Sequence, residues 1–448
     1  MQAVEASNRP ISLQPFGLRS LRAVCGVAAL LKVIGQYVGR ATPSARESPA
    51  MNSSSTMLRL LSLAAFSSMA SMRVCDPMLV DLSREFAVTT GDASAVIAAF
   101  AVAYGFLQLV YGPLGDRLGK VRVILGATTA CAVFSGMTAL APSFTLLVVS
   151  RAAMGAAAAG IIPLSMAWIG DQVPYEQRQE TLARLMVATV TGMMAGQWFG
   201  GFATETLGWR TALAVLSVLF CTAALLLFRH ARASGALNVY AGNDAGAAFS
   251  LAGYMSNTVA LLRIPRVRWV LSVVAIEGAL AFGTLAFVPA RMVNGFGLSA
   301  SAAGGVMVLY GLGGLVYSLF ARRWLAALGE QGLALVGAVL IATGLLALAW
   351  APAVAWAVGG SFLAGVGFYM LHNTLQVQAT QMAPQARGAA VTLFACLLFL
   401  GQSTGVVLVG LSVDRGWLPL FFSAAAAGVV VLGVVVSRQL QGRRVAAA

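Results

Sequence analysis

The chain has 448 residues, of which 59% are hydrophobic and 10% charged. Soluble domains carry roughly 25% charged residues, so a soluble fold of this length could not cover its surface, and most of that surface must face lipid. The formal net charge of +14 does not indicate nucleic acid, because the basic residues sit in short loops between apolar runs, as they do on the cytoplasmic side of membrane proteins. The five cysteines, at 25, 75, 131, 221 and 396, lie in apolar surroundings without metal-ligand spacing and read as small buried hydrophobes.

The first fifty residues hold six basic residues and one short apolar patch, AVCGVAALL at 23–31. The patch imitates a secretory signal core, but a cleaved signal would put the next segment outside, against the distribution of Lys and Arg along the chain. Residues 1–56 are therefore expected to be a disordered or misassigned leader, with Met51 or Met57 as alternative starts. A helix needs about 20 apolar residues to cross the hydrocarbon core. Twelve runs meet this: 57–80, 92–112, 123–141, 145–169, 182–204, 209–229, 268–290, 301–320, 332–350, 353–378, 388–412 and 416–437. They lack the alternation of a membrane barrel. The expected class is an all-α, polytopic membrane protein with twelve transmembrane helices. A linker at 230–267, rich in Gly, Ala and Asn toward its front, separates six-helix bundles at 57–229 and 268–437, and a tail follows at 438–448. From Met51 onward there are 23 Lys and Arg. With the N-terminus inside, 17 fall on the cytoplasmic side, four fall outside (84, 210, 291, 415), and Arg73 and Arg151 fall within spans. This split places both termini in the cytoplasm.

The two bundles share short matches. LVY recurs at 109–111 and 315–317, GQxxG at 196–200 and 401–405, and GW at 208–209 and 416–417. Each match joins a span to the one six later. Parallel six-helix repeats imply a pseudo-two-fold axis along the membrane normal, with a solute site near the midplane between the halves.

Between the second and third spans stands YGPLGDRLGKVR, residues 111–122. Gly112, Asp116, Arg117, Gly119 and Lys120, with Arg122 just beyond, resemble the loop signature G-x-x-x-D-R-x-G-R-R/K of the major facilitator superfamily. Val121 takes a place that is often basic. The resemblance runs from about Met57 to Arg438 and implies two pseudo-symmetric six-helix bundles that alternate access. It also implies that Asp116 meets the start of span 11 when the cytoplasmic side is shut. An acid there can face the positive N-terminal end of a helix, while Lys120 and Arg122 can hold the loop at anionic headgroups. The same stretch fails as a phosphate loop, because Leu114 replaces the first glycine and Val121 the hydroxyl. ATP is not the expected energy source. With only His230 and His372 in the chain, no metal and no cofactor are expected, and no catalytic constellation argues for an enzyme.

Ionisable residues at membrane depth are functional candidates by default. Arg73 and Asp76 stand three apart in span 1, just before Pro77, and share a helix face. Glu277 lies near the middle of span 7. Arg151, spaced from Gly155 and Gly160, resembles the superfamily's span-4 motif, whose arginine is implicated in proton transfer; snorkelling to the surface is the alternative. Tyr369, His372, Asn373, Gln376 and Thr380 form one polar stripe on span 10, and Tyr104 with Gln108 a smaller one on span 2. GMMAGQWFGG (192–201) is similar to the superfamily's antiport signature, with Gln197 in the place of its proline; Gln402 is its counterpart, and the two are expected to face each other across the axis. The expected function is proton-coupled export of small organic molecules, drugs or sugars. Proton-symport uptake is the alternative, and a non-transporting membrane sensor a remote one. The expected partners are a small-molecule substrate, protons and the lipid bilayer, with no nucleic acid. A monomer is expected, since one chain holds both halves. The Ala/Gly/Arg-rich composition suggests a bacterial inner membrane.

Overall fold

The structure, a computed structural model, describes residues 49–237 and 251–447. Two compact units are distinguished, Met1–Asn52 and Ser53–Ala448. Of the first, only residues 49–52 are described; the helical bundle is the second. The expected leader lies outside the described residues up to position 48, and the middle of the expected linker, 238–250, lies outside them as well.

Among the described residues there are helices and no strands. In chain order they are α1 (Pro49–Arg73), α2 (Leu79–Glu85), α3 (Thr90–Ala93), α4 (Ala95–Leu118), α5 (Lys120–Ala139), α6 (Phe144–Ala158), α7 (Ile161–Gln172), α8 (Tyr175–Thr206) and α9 (Trp209–Ala233). Then come α10 (Leu251–Ala260), α11 (Pro265–Glu277), α12 (Gly283–Leu285), α13 (Val288–Phe296), α14 (Ala300–Trp350), α15 (Val354–Gln381), α16 (Arg387–Asp414) and α17 (Leu418–Ala447). Joined across their short breaks, ten helical stretches among the described residues are long and apolar enough to cross a membrane. Two of the expected spans, 301–320 and 332–350, lie together in α14, whose backbone leaves the helical region at Gly329 (φ 63°, ψ 176°). α8 is not among the ten; beyond its charged first turns, Thr189, Thr191, Gln197 and the glycines at 192, 196, 200 and 201 lower its hydropathy. Exposed apolar side chains such as Phe106, Leu319 and Val431 line the bundle, a surface suited to hydrocarbon.

The repeat reappears in how the helices pack. Gly192, Gly196 and Gly200 of α8 press onto the carbonyls of Phe66, Ala70 and Val74 so closely that a Cβ would collide with backbone. In the second half, Gly401 and Gly405 of α16 press onto the carbonyls of Ala275 and Ala279. The pairs 196/70 and 401/275 are displaced by the same 205 residues. Small residues at such crossings let backbones meet without a side-chain layer. The turns repeat too. Gly119 (φ 91°), which separates α4 from α5, has its counterpart 210 residues on in Gly329, and the left-handed Ala87 (φ 52°) in Gly297 (φ 64°).

Corresponding helices are also interrupted at the same depth. α1 stops at Arg73, and a 3₁₀ turn, Asp76–Met78, follows with Pro77 inside it. α11 stops at Glu277 and widens into a π turn, Gly278–Phe282. Pro removes a backbone donor, and π bulges commonly mark functional sites. Both breaks hold an ionisable side chain at mid-bundle.

Candidate functional site

The break in the first span builds a buried ion pair. Arg73 Nη1 lies 3.4 Å from Asp76 Oδ2, and both residues are almost wholly inaccessible. The neighbouring helix α8 contributes Gln197, whose Nε2 donates to the same Asp76 oxygen at 3.2 Å. Asp76 Oδ1 and Arg73 Nε have no hydrogen-bond partner among the described residues. The Arg73 guanidinium reaches toward the second half and lies 4.6 Å from the centre of the Phe282 ring, in the π turn. Buried charge is tolerated only with partners of this kind.

The break at the end of α11 builds a second pair. Glu277, fully buried, has its Oε2 3.0 Å from His372 Nδ1 on α15, and His372 is 15% exposed. The imidazole stacks on Phe368 (5.0 Å between centres) and tilts against Phe394 (5.5 Å). Phe368 packs in turn on Phe282 at 4.5 Å. The Arg73–Asp76 and Glu277–His372 pairs therefore border one aromatic cluster. Tyr310, whose buried hydroxyl has no partner, lies within electrostatic range of both Arg73 and Glu277.

The remaining candidates divide. On α15, Tyr369, His372 and Asn373 are half-buried and Gln376 is exposed. Tyr104 packs edge-on against Phe399 at 4.7 Å, bridging α4 and α16. Gln197 is engaged by Asp76, while Gln402, equally buried, leaves its Oε1 without a partner and forms no hydrogen bond with Gln197. Arg151 is fully buried rather than snorkelling. Its Nη1 donates to the Ser71 carbonyl at 2.9 Å, its Nε to that of Val96 at 3.3 Å, and its guanidinium lies 4.4 Å from the Phe100 ring centre. Ser361, its repeat counterpart, donates to the carbonyl of Val306, the counterpart of Val96, at 3.0 Å.

The loop motif stands apart from this centre. Asp116 is exposed and pairs with Lys120 at 3.5 Å, and Lys120 also pairs with Asp171 at the end of α7. Asp116 makes no hydrogen bond to α16 among the described residues. Gly112 has open space around it, and Arg117 is exposed. Arg122 has interactions of its own. Sequence reasoning missed Phe282, Phe368, Phe394 and Tyr310. Aromatic residues in apolar runs carry no signal until partners from other helices surround them.

A helical membrane protein whose corresponding spans break at mid-bundle around buried ion pairs is built as a secondary transporter. The Major Facilitator Superfamily model matches residues 61–406, and the chain belongs to that family. It is 25% identical to YceJ, an MFS-type transporter of Bacillus subtilis (strain 168), over 338 residues, 75% of this chain and 83% of that one. It is 30% identical to the hexuronate transporter of Escherichia coli (strain K12) over 296 residues, 61% and 68% of the two chains. The multidrug export protein EmrB of Haemophilus influenzae is 28% identical over 149 residues, 33% of this chain and 29% of its own. Among solved structures, that of the nucleoside transporter NupG superposes with a TM-score of 0.70, covering 85% of this chain and 98% of that chain at 14% identity.

Proposed function

We propose that this secondary transporter exports small organic molecules, drugs or sugars, in exchange for protons, by alternating access between two six-helix halves, residues 57–229 and 268–437. The chain crosses the membrane twelve times, with α8 as one span and α14 as two that meet at Gly329. Both termini face the cytoplasm, and the protein works as a monomer in a bacterial inner membrane.

The observation that carries the reading is the Glu277–His372 pair. It joins a fully buried acid to a partly exposed imidazole at 3.0 Å, a route for a proton between the exposed edge of the ring and the buried carboxylate. Asp76, held by Arg73 and Gln197, is a second proton acceptor in the other half. Protonation of either acid changes the charge of the chamber and opposes retention of substrate. Asp116 is occupied by Lys120 rather than by α16, and Gln376 is exposed. Two features favour export, namely the glycine run of α8 seated on the first span and the likeness to a multidrug export protein. The likeness to a hexuronate transporter favours the second reading, proton-driven uptake.

A resistance screen tests this. The chain is expressed in a bacterial strain lacking its own pumps and challenged with a broad toxic panel. Export raises tolerance to at least one chemical class, and Glu277→Gln at equal expression abolishes the gain. Raised sensitivity, reversed by the same substitution, would instead support uptake. Unchanged tolerance across the panel contradicts export of such compounds.

A further inference from the structure

At the end of the bundle poor in Lys and Arg, two acids cross between the halves, and neither belongs to the mid-bundle site. Asp414, the last residue of α16, accepts from the Thr89 hydroxyl at 2.8 Å and from the Gly91 backbone N–H at 2.9 Å. Glu205, in the last turn of α8, accepts from the Ser301 backbone N–H at 3.1 Å, two residues beyond the N-cap Ser299. The receiving turns are repeat mates: 89 and 299, and 91 and 301, are each 210 positions apart, and Thr89 and Ser299 are N-caps of the helices they precede. The acids match as well. Glu205 precedes Gly208–Trp209, and Asp414 precedes Gly416–Trp417. Around them the backbones touch: a Cβ on Gly410 would lie 3.1 Å from the Gly91 Cα, and Gly201 abuts Ala300.

We infer that Asp414 and Glu205 are a reciprocal pair of latches that hold the extracytoplasmic face shut. Each closes the outer end of one half onto the first turn of the other half's second helix. The inference rests on the two-half arrangement and orientation proposed under the function. First-turn N–H groups have no intrahelical acceptor and carry positive partial charge. A carboxylate brought to them gains charge-assisted hydrogen bonds and loses them on opening. Both acids are exposed at the surface, so each latch is weak enough to release in every cycle. Other polar contacts at this end, such as Arg210 with Glu85 and with the Ala141 carbonyl, or Arg291 with the Ala349 carbonyl, stay within one half. They move with it and do not gate.

The test measures distance. Spin labels at Ser143 and Ala353, exposed loop residues in opposite halves at this end, report the outer gap in the full chain reconstituted in lipid nanodiscs. Glu205→Gln and Asp414→Asn each lower the ratio of closed to open populations on the order of tenfold, and the double variant lowers it further. Asp92→Asn, the same charge change in the first turn of α3 without a contact across the halves, leaves the distribution unchanged. A double variant with the wild-type distribution overturns the inference. As a second arm, Thr89→Cys with Asp414→Cys, in a background with the exposed Cys221 changed to Ser, forms an oxidative cross-link detectable by mass spectrometry. Failure to cross-link counts equally against the latch. Neither readout needs a substrate, so a failed latch and a failed export reading are separable.

Discussion

Asp76→Ala removes the acid paired with Arg73 and leaves a guanidinium buried at mid-bundle, 2% exposed. Breaking one side of a buried ion pair costs about 3–5 kcal/mol, because the remaining charge stays desolvated. Gln197, now without its acceptor at 3.2 Å, can turn its amide oxygen to the guanidinium but brings no negative charge to neutralise it. Replacing both charges by apolar side chains of similar volume, Arg73→Met with Asp76→Leu, removes the desolvation problem together with the attraction and is close to neutral for stability. The assay is a thermal melt of detergent-solubilised protein, followed by transport in vesicles. The single variant melts well below wild type. The double variant recovers most of the loss yet does not transport, which separates the pair's functional role from a structural one. The reasoning is refuted if Asp76→Ala melts like wild type, or if the double variant transports at the wild-type rate.

Glu277→Gln keeps the shape of the buried side chain but cannot release a proton. It is expected to abolish accumulation driven by a pH gradient while sparing substrate–substrate exchange, measured in proteoliposomes. Asp116→Asn abolishes transport with membrane insertion intact, checked by surface labelling beside an uptake or efflux assay. Gly401→Val places a side chain against the Ala275 backbone, which cannot yield, and is expected to collapse the yield of monodisperse protein on size exclusion. Gly170→Ala, with open space around it, leaves that yield unchanged.

The fold class was legible because lipid imposes long apolar runs, and the repeat was legible because matched helices need glycine where backbones cross. GQxxG at 196 and 401 turned out to mark the same crossing in both halves. The boundary between the runs 301–320 and 332–350 was legible too: Arg322, Arg323 and Glu330 interrupt the apolar sequence around Gly329, where the backbone leaves the helical region. The site was legible residue by residue, not as pairs. Asp76 and Gln197 lie 121 residues apart and Glu277 and His372 lie 95 apart, and nothing in a single sequence ties one to the other. Arg151 shows the same limit, because its partners are carbonyls, which every residue possesses. Asp414 and Glu205 lie just past the expected spans 388–412 and 182–204 and belong to none of the motifs read from the sequence. Their common place just ahead of a repeated GW was the one available signal.

Proton movement tests the central claim most directly. In proteoliposomes holding a pH-sensitive dye and no other ion gradient, an imposed gradient of a substrate found in the resistance screen should drive protons the opposite way across the membrane. The flux should vanish in Glu277→Gln. Substrate crossing at full rate with no accompanying proton flux would contradict proton-coupled exchange.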